Sequence, residues 1–432
     1  MVEGGSLQKS LRKLTTGVQI SPCPLKNKNN YGIGNRLLDH KEIGKQLNLF
    51  HFSEEVGKGL PLWLPNGAII REELISFLKK IQIRMGYKGV VTPHIGNINL
   101  YKISGHYEKY KEHAFGEICC GDDSYMLKPM NCPHHCEIYK SQPRSYRDLP
   151  LRFAEFGQVY RYEDSGAING LLRARSFCQD DAHLFCREDQ VEEEISNIIK
   201  LVLYVFGKFN FNQYKAQISL RDKNNKGKYI GSDAIWDNAE AALIKVAKEN
   251  NLNIQIEEGE AAFYGPKIDF MVKDSLDREW QLGSIQLDYN LPEKFQLEYM
   301  DSNGEYKRPV MIHRAPFGSL ERFIAILLEQ YQGKLPVWLS PEQIRILPIS
   351  DKFNDYCEEI NNSLLEVDIR SSIDKRNESL NKKIKDANLN YVPYMCIIGQ
   401  KEVDSKMLSI RFGNESNLID ILNLINKIKN EN

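Results

Sequence analysis

The segment VYRYEDSGAINGLLRARSFCQDDAHLFC (Val159 to Cys186) carries the pattern from which we predict the fold. Alternating apolar and polar residues stand on both sides of a loop that contains Gly and Ser, DSGAINGLL (Asp164 to Leu172). Alternation with a period of two is typical of strands, and a connection of this kind favours antiparallel pairing. We therefore expect a strand, a flexible connection and a return strand at the centre of the chain.

These two strands present an unusually polar face. In VYRYE (Val159 to Glu163), strand geometry puts Arg161 and Glu163 on one side. On the return strand, four side chains share one face: Phe177, Gln179, Asp181 and His183. One interpretation is a solvated sheet face with an ion pair between Arg161 and Glu163. The other is a ligand platform, in which Arg binds phosphate, Phe stacks on a purine ring and Asp binds an amine.

A second unusual segment is FGSLERFIAILLEQY (Phe317 to Tyr331), whose apolar spacing predicts an amphipathic helix with Ser319 as its N-cap. Arg322 then lies in the first turn, where a cation opposes the helix dipole unless an anion binds there. An exposed Arg322 that is screened by water or pairs with Glu321 is the simpler alternative. Taken together with Arg161, however, Arg322 makes a clamp for a polyphosphate plausible.

A third segment, MLKPMNCPHHCEIY (Met126 to Tyr139), places Cys132, His135 and Cys136 on one helix face. These residues could form a local metal site. The signal is weak because a structural zinc site usually needs a second ligand pair, and none follows. Buried cysteines that pack as small apolar groups are the alternative.

The composition of the chain excludes several classes of protein. The chain has 432 residues with a net charge of −1, which excludes a strong overall attraction to nucleic acid or membrane. Nine cysteines, an odd number, favour free thiols in a reducing compartment. The longest apolar runs are far shorter than the roughly 18 residues of a membrane span. We expect a protein of the cytoplasm, or of an organellar matrix, that does not enter membranes.

Three regions surround the central strands. The composition of residues 16–66 predicts an irregular entry segment. Apolar residues at helical spacing between Ile69 and Gly86 predict a helix, and a strand follows it, GVVTPHI (Gly89 to Ile95). Pro93 places that strand at a sheet edge or a subunit interface, because proline lacks a ladder donor. After Leu335, short apolar strands alternate with helices, which predicts a compact α/β domain of about 90 residues.

Five segments of the chain resemble signatures of a known family. Residues 159–186 resemble motif 2 of the class II aminoacyl-tRNA synthetases, in the form characteristic of the threonyl-tRNA synthetases. Four other segments resemble further signatures of that family, in the family's order: MNCPHH (Met130 to His135), AFYGPKID (Ala262 to Asp269), WQLGSIQLD (Trp280 to Asp288) and VMIHRAPFGSLERF (Val310 to Phe323). The resemblance runs from about Asp39 to the C-terminal helix.

The resemblance implies an α+β catalytic domain with an antiparallel sheet, the class II synthetase fold, and a C-terminal α/β anticodon-binding domain. The expected boundaries are residues 1–38 for an N-terminal extension, 39–338 for the catalytic domain and 339–432 for the anticodon-binding domain. It also implies a homodimer. By position, Cys132, His183 and His313 match the family's Zn²⁺ ligands, so the local cluster at Cys132 would contribute only that cysteine.

The same resemblance assigns roles around the substrates. It implies that L-threonine and ATP are joined to an adenylate and that threonine tRNA is then charged, with Mg²⁺ on the ATP phosphates. The residues matched to ATP binding are Arg161, Glu163, Arg173, Phe177, Gln281 and Arg322. The residues matched to threonine binding are Gln179, Asp181, Tyr264 and Gln286. The residues matched to catalysis are Arg161, Lys267, Arg322 and His106, the last near the reacting ribose.

Some features depart from the family pattern. His134 stands where Gly is commoner, and Phe412 and Gly413 replace basic residues that usually follow Arg411. Glu402 and Arg411 match anticodon-contacting positions, so we expect weaker or altered anticodon reading. The residues before Asp39 leave no room for a proofreading domain, and we therefore expect serine to be attached to threonine tRNA as well.

Two other functions remain open at this level. One is a non-catalytic, synthetase-like protein that binds tRNA or regulates a partner. The other is a related enzyme specific for proline or serine, which zinc content would distinguish from a threonine enzyme.

Overall fold

The computed structural model describes residues 36–274, 277–413 and 415–431, and these residues form two compact units. The first unit contains Leu78–Leu327 and the segment Phe52–Pro61. The second contains residues 36–51, the segment Leu62–Phe77 and the described residues from Leu328 onward. In the described part of the chain, no helix is both long enough and apolar enough to cross a membrane.

The helices begin and end as follows: α1 His40–Gln46, α2 Pro65–Arg84, α3 Ile98–Ser104, α4 His106–Tyr110, α5 Cys132–Lys140, α6 Val191–Lys208, α7 Asp233–Glu249, α8 Asn290–Lys294, α9 Leu320–Tyr331, α10 Asn354–Leu365, α11 Leu380–Leu389, α12 Gln400–Ser405 and α13 Ile421–Asn430. The strands are β1 Phe50–His51, β2 Leu62–Trp63, β3 Lys88–Gly89, β4 Ile95–Asn97, β5 Ile118–Cys120, β6 Asp123–Leu127, β7 Leu151–Tyr160, β8 Ser176–Cys186, β9 Tyr214–Leu220, β10 Ile254–Glu258, β11 Lys267–Lys273, β12 Glu279–Asp288, β13 Tyr299–Met300, β14 Tyr306–Lys307, β15 Val310–Ala315, β16 Ile344–Pro348, β17 Ser371–Ile373, β18 Tyr394–Ile398, β19 Leu408–Phe412 and β20 Glu415–Ile419.

An eight-stranded sheet in the order β10-β9-β11-β12-β15-β8-β7-β3 forms the centre of the first unit. The six strands from β9 to β7 pair antiparallel, and only the two outer strands, β10 and β3, pair parallel. The predicted pairing of β7 with β8 is confirmed over ten residue pairs, from Leu151–Phe185 to Tyr160–Ser176. The sheet is the antiparallel platform that the sequence predicted.

Aromatic packing fixes helix α9 in the first unit. The ring of Phe323 lies 4.3 Å from that of Phe317 and 5.0 Å from that of Phe209, and all three side chains are fully buried. Ser319 caps the helix as predicted, since its Oγ accepts the Arg322 N–H at 3.2 Å. The first turn of α9, which carries Arg322, is therefore held rigidly against the sheet.

Two strand predictions near the centre were too long. Of GVVTPHI (Gly89 to Ile95), only the first and last residues pair as strand: Gly89 in β3 at the edge of the large sheet, and Ile95 in β4. The N–H and hydroxyl of Thr92 bind the Glu155 carboxylate at 3.0 and 2.8 Å, which takes the chain out of the ladder before Pro93. In VYRYE, strand β7 ends at Tyr160, so the predicted common strand face of Arg161 and Glu163 is wrong.

The predicted irregular entry segment also needs correction. Residues 16–35 lie outside the described part of the chain, but His40–Gln46 is a helix. Asp39 caps it by accepting the N–H groups of Lys41 and Glu42, and the Glu42 side chain accepts the Asp39 N–H in return. This capping box is a strong start signal that the polar composition of the segment concealed.

The second unit contains a five-stranded sheet in the order β17-β16-β18-β19-β20. The three strands β17, β16 and β18 are parallel, and β19 and β20 add antiparallel strands. The predicted α/β alternation is confirmed in outline. The strand after α10 begins at Ser371, and the closing helix begins at Ile421, after strand β20.

Candidate active site

A cavity of about 430 Å³ opens on one face of the large sheet in the first unit. Strands β8, β11, β12 and β15 and the first turn of α9 supply most of its walls. Twelve of the fifteen site residues expected in this unit line it: Cys132, Arg161, Phe177, Gln179, Asp181, His183, Tyr264, Lys267, Gln281, Gln286, His313 and Arg322. The polar face expected on the return strand, from Phe177 to His183, is therefore the floor of a cavity.

Cys132, His183 and His313 meet at one end of this cavity. Cys132 is the first residue of α5, and the two histidines are directly opposite each other in the register of β8 and β15. One potential ligand atom from each residue lies within 4.8 Å of the others, and all three side chains are buried. Three different elements of the fold thus converge on a single point.

Each imidazole of this cluster has one nitrogen engaged elsewhere. Nε2 of His313 lies 2.9 Å from Oδ2 of the buried Asp288, and Nδ1 of His183 lies 2.7 Å from Nδ1 of His135. The nitrogens that remain available to the cluster are therefore Nδ1 of His313 and Nε2 of His183. A carboxylate partner such as Asp288 is usual for a metal-binding histidine.

Burial controls the protonation of the cluster. Desolvation raises the pKa of Cys132 well above its usual value, and the nearby Asp181 carboxylate raises it further. Desolvation also lowers the pKa of His183 well below its usual value, with His135 and His313 adding to the effect. Neutral imidazoles are the form that binds metal, and a divalent cation would stabilise the thiolate of Cys132. The donor set of one sulfur and two nitrogens fits a catalytic zinc site with an open position.

Asp181 lies beside the cluster and is held from behind by Asn131, whose Nδ2 donates to Oδ2 of Asp181 at 3.0 Å. Gly157 makes room for this contact, because a Cβ atom there would lie 2.5 Å from the Asn131 amide. On the facing wall, the Tyr264 hydroxyl donates to Oε1 of Gln286 at 2.5 Å. A carboxylate, a phenol and an amide therefore surround the open side of the cluster.

The other end of the cavity is cationic and aromatic. The Arg161 guanidinium lies over the Phe177 ring at 5.2 Å. Arg322 donates to the main-chain carbonyls of Leu172 and Gln281 at 3.1 and 3.0 Å, and these neutral acceptors leave its charge available. Desolvation lowers the pKa of Arg322, and the positive charges of Arg161 and Arg173 lower it further. Cations that lie close together and repel one another favour the binding of an anion between them.

The alternative pairing of Arg322 with Glu321 does not occur. Oε2 of Glu321 accepts the N–H of Cys178 at 2.8 Å, and Glu321 is buried. Since Glu321 binds the β8 backbone, it fixes the start of α9 to the sheet next to Phe177.

Three expected site residues do not line the cavity. Glu163 and Arg173 form an ion pair at 2.7 Å, with Arg173 half exposed. His106 is fully buried, with Nε2 3.0 Å from the Met130 sulfur and 3.6 Å from the Cys132 sulfur. Desolvation lowers the pKa of His106 to about 3, and nearby positive charges contribute. His106 therefore lies behind the cluster as a neutral imidazole.

The two residues expected to contact an anticodon lie in the second unit. Oε2 of Glu402 accepts the N–H of Gly399 at 2.9 Å and so caps α12. Arg411 is on β19, and its Nε donates to the carbonyl of Gly413 at 3.3 Å. The ring of Phe412 stacks on Tyr394 at 4.6 Å, yet over a third of Phe412 remains exposed.

Reasoning from the sequence missed several residues that hold the site together, Asn131, Glu155, Asp269 and Asp288, and it considered His135 only as a possible metal ligand. Asp269 and Asp288 are the last residues of two of the segments quoted above, AFYGPKID and WQLGSIQLD, so the family resemblance already included their positions. What the sequence could not supply is that both carboxylates are buried, with 2% and 0% exposed. Buried carboxylates next to polar side chains are the signal that would have found them.

Comparisons with known proteins agree with this geometry. Residues 118–331 match the class II core domain of tRNA synthetases (G, H, P, S and T), and residues 343–431 match an anticodon-binding domain. The threonine–tRNA ligases of Cytophaga hutchinsonii and Bacteroides thetaiotaomicron are 60% and 57% identical over 375 residues, which is 86% of this chain. The chain spans 58% of the length of these relatives.

A solved structure gives the same result. The crystal structure of the RNA-binding domain of threonyl-tRNA synthetase from Cryptosporidium parvum Iowa II is 38% identical. It superposes with a TM-score of 0.87 and covers 91% of this chain and 98% of its own. The fold is that of a class II aminoacyl-tRNA synthetase core. Within that class, the chain belongs to the threonyl-tRNA synthetase family.

Proposed function

We propose that this chain activates L-threonine with ATP and transfers it to threonine tRNA. The observation that carries the proposal is that one cavity contains a buried Cys132–His183–His313 cluster at one end and the cations Arg161 and Arg322 at the other. The first arrangement fits an amino acid with a side-chain hydroxyl, and the second fits a polyphosphate. The family relationship supports the same combination of substrates.

Threonine recognition needs more than shape. Threonine and valine are nearly isosteric, and an apolar pocket separates such pairs by only about a hundredfold. Zn²⁺ held by Cys132, His183 and His313 would supply a Lewis acid for the amino and hydroxyl groups of threonine. Asp181 would accept a hydrogen bond from the amino group, and Gln179, Tyr264 and Gln286 would line the remainder of the pocket.

Activation of threonine by ATP would use groups at both ends of the cavity. An oxygen of the threonine carboxylate attacks the α-phosphorus of ATP, and the bond to pyrophosphate breaks. Arg161 would stabilise the negative charge that builds on the α-phosphate, while Arg322 would bind the γ-phosphate that leaves with pyrophosphate. Phe177 would stack on the adenine ring, Gln281 and Lys267 would position the adenylate, and Mg²⁺ would enter with the ATP phosphates.

In the second step, a hydroxyl of the terminal ribose of tRNA attacks the threonyl carbonyl and AMP leaves. The expected contribution of His106 to this step remains a proposal, and so do those of Glu163 and Arg173 to ATP binding. A homodimer is also proposed. It is supported by two strongly exposed apolar residues, Ile83 at 71% and Val91 at 93%, close to the end of α2 and to β3.

The test measures ATP–pyrophosphate exchange with threonine, metal content and charging of threonine tRNA on the same preparation. We expect exchange that depends on threonine, close to one Zn²⁺ per chain, and charged tRNA. Absence of exchange by a zinc-loaded protein that still binds tRNA would favour the non-catalytic alternative. Exchange driven by proline, or by serine better than by threonine, would favour a related specificity.

A further inference from the structure

His135 lies next to the cluster, and the proposed chemistry gives it no role. It follows Cys132 by three residues, about one turn of α5, and its side chain is completely buried. Its ring meets that of His183 edge to face, with centroids 4.6 Å apart, and the two Nδ1 atoms are separated by 2.7 Å. The helix that supplies one ligand thus also contacts the second.

The contact between the two Nδ1 atoms fixes the protons on both rings. One atom must donate and the other must accept. If His183 donates, its Nε2 keeps a free lone pair toward the cluster, and the proton of His135 lies on Nε2, which faces Oε1 of Glu155 at 3.4 Å. If His135 donates instead, its unprotonated Nε2 faces a carboxylate oxygen, and two acceptors oppose each other. The first arrangement is the favourable one, because its proton lies on the closer contact, 3.4 Å from Glu155, whereas Nε2 of His183 lies 3.7 Å from the nearest oxygen of Asp181.

Glu155 is itself firmly held. Its carboxylate accepts the N–H and the hydroxyl of Thr92 at 3.0 and 2.8 Å, and Nζ of Lys128 lies 3.5 Å away. Lys128 also donates to the Thr92 hydroxyl at 2.6 Å. Thr92, Lys128, Glu155 and His135 are all buried, so this charged network cannot rearrange into solvent. The acceptor that faces His135 is therefore fixed in place.

We propose that His135, backed by Glu155, is a positioning residue that orients His183 and sets its tautomer so that Nε2 is presented to the metal. The inference rests on the proposed function, because it assumes that the cluster binds zinc. The other imidazole is positioned directly, since Asp288 contacts Nε2 of His313. For His183 the carboxylate acts through an intervening imidazole. Partners of this kind typically change metal affinity by about 10- to 100-fold.

The test measures the zinc dissociation constant of the full chain by competition with a chromophoric chelator, independently of activity. His135→Leu removes the acceptor, and we expect zinc to bind about 10- to 100-fold more weakly. In His135→Asn, Oδ1 takes the place of Nδ1 and can accept from His183. We expect this variant to recover most of the affinity, within about threefold of the unaltered chain.

Cys136→Ala is the matched control. Cys136 is buried on the same helix, and its sulfur contacts Met311 at 3.9 Å rather than His183. We expect this variant to lose stability and keep its zinc affinity. Equal affinities for His135→Leu and the unaltered chain would overturn the positioning role, as would equal losses in His135→Leu and Cys136→Ala. If the unaltered chain bound no zinc at all, or bound it as well after His183→Ala, the proposed metal site itself would fail.

Discussion

Lys267 and Asp269 lie on the same face of β11, and Nζ of the lysine donates to Oδ2 of the aspartate at 2.6 Å. The other carboxylate oxygen accepts from Nε2 of Gln281 at 2.7 Å and from Oγ of Ser284 at 2.9 Å. Only 2% of Asp269 is exposed. A single buried carboxylate therefore positions three side chains that line the cavity, one of them a cation.

The first prediction concerns this carboxylate. Asp269→Asn keeps the volume but removes the charge that pairs with Lys267, so Lys267 and Gln281 lose their fixed positions. Because a displacement of about 1 Å can reduce a rate about 100-fold, we expect kcat/KM for threonine-dependent exchange to fall by roughly that factor. Glu240→Gln is the control, since Glu240 is a buried carboxylate that binds the Arg221 N–H away from the cavity. Equal losses in both variants would contradict the prediction.

The second prediction concerns Arg322. Arg322→Gln leaves the helix cap at Ser319 intact but removes the cation from the first turn of α9. Loss of one group that stabilises developing charge typically costs about 100- to 1,000-fold in kcat, and we expect a loss of that size together with a higher KM for ATP. Arg322→Lys should recover little, because an ammonium group cannot reproduce the two directed contacts of the guanidinium. Exchange rates at varied ATP concentration test this, and an unchanged ATP dependence would refute it.

The third prediction concerns the choice of amino acid. A site that binds a substrate hydroxyl through fixed polar partners rejects an analogue without it by about 10⁴- to 10⁵-fold. We expect valine to support exchange no better than about one part in 10⁴ relative to threonine. Serine has both the hydroxyl and the amine, so the cluster cannot exclude it, and we expect measurable serine activation. Steady-state exchange with each amino acid tests both statements. Valine activation at one part in a hundred of the threonine value would contradict the proposal that a bound metal selects the amino acid.

The fourth prediction concerns the second unit. Arg411 lies on β19 and contacts the backbone at Gly413. If it reads an anticodon base, Arg411→Ala should weaken tRNA binding by about 1–3 kcal/mol, which appears as a higher KM for tRNA in charging. Threonine-dependent exchange needs no tRNA and should not change. Lys401→Ala, on the neighbouring helix α12, provides an exposed cation for comparison. A loss of exchange in Arg411→Ala would point to misfolding rather than to anticodon recognition.

Strand alternation predicted the polar face of β8 because Phe177, Gln179, Asp181 and His183 are spaced by two along one strand, and spacing within a strand is a local property. The Cys132–His183–His313 cluster could not be predicted in this way. Cys132 and His313 are 51 and 130 positions from His183, and they meet it only through the register of β8 with β15 and the packing of α5. Resemblance to a family supplied those three residues.

The error over Gly89–Ile95 has a physical cause in another segment. Thr92 has the side chain of a strand residue, but Glu155 binds its N–H and hydroxyl, so the backbone leaves the sheet. Propensity and alternation describe a segment by itself, and they contain no information about an acceptor on another segment. Thr92 also belongs to the buried network that supports His135.

The position of β15 between β12 and β8 has a consequence for synthesis of the chain. On the ribosome, β8 and β12 both emerge well before Val310–Ala315, and each then has one open hydrogen-bonding edge. The last strand of this sheet to be translated therefore joins two parts of the sheet that are not paired with each other before it arrives. A polypeptide truncated before Val310 would therefore expose two strand edges and be prone to self-association.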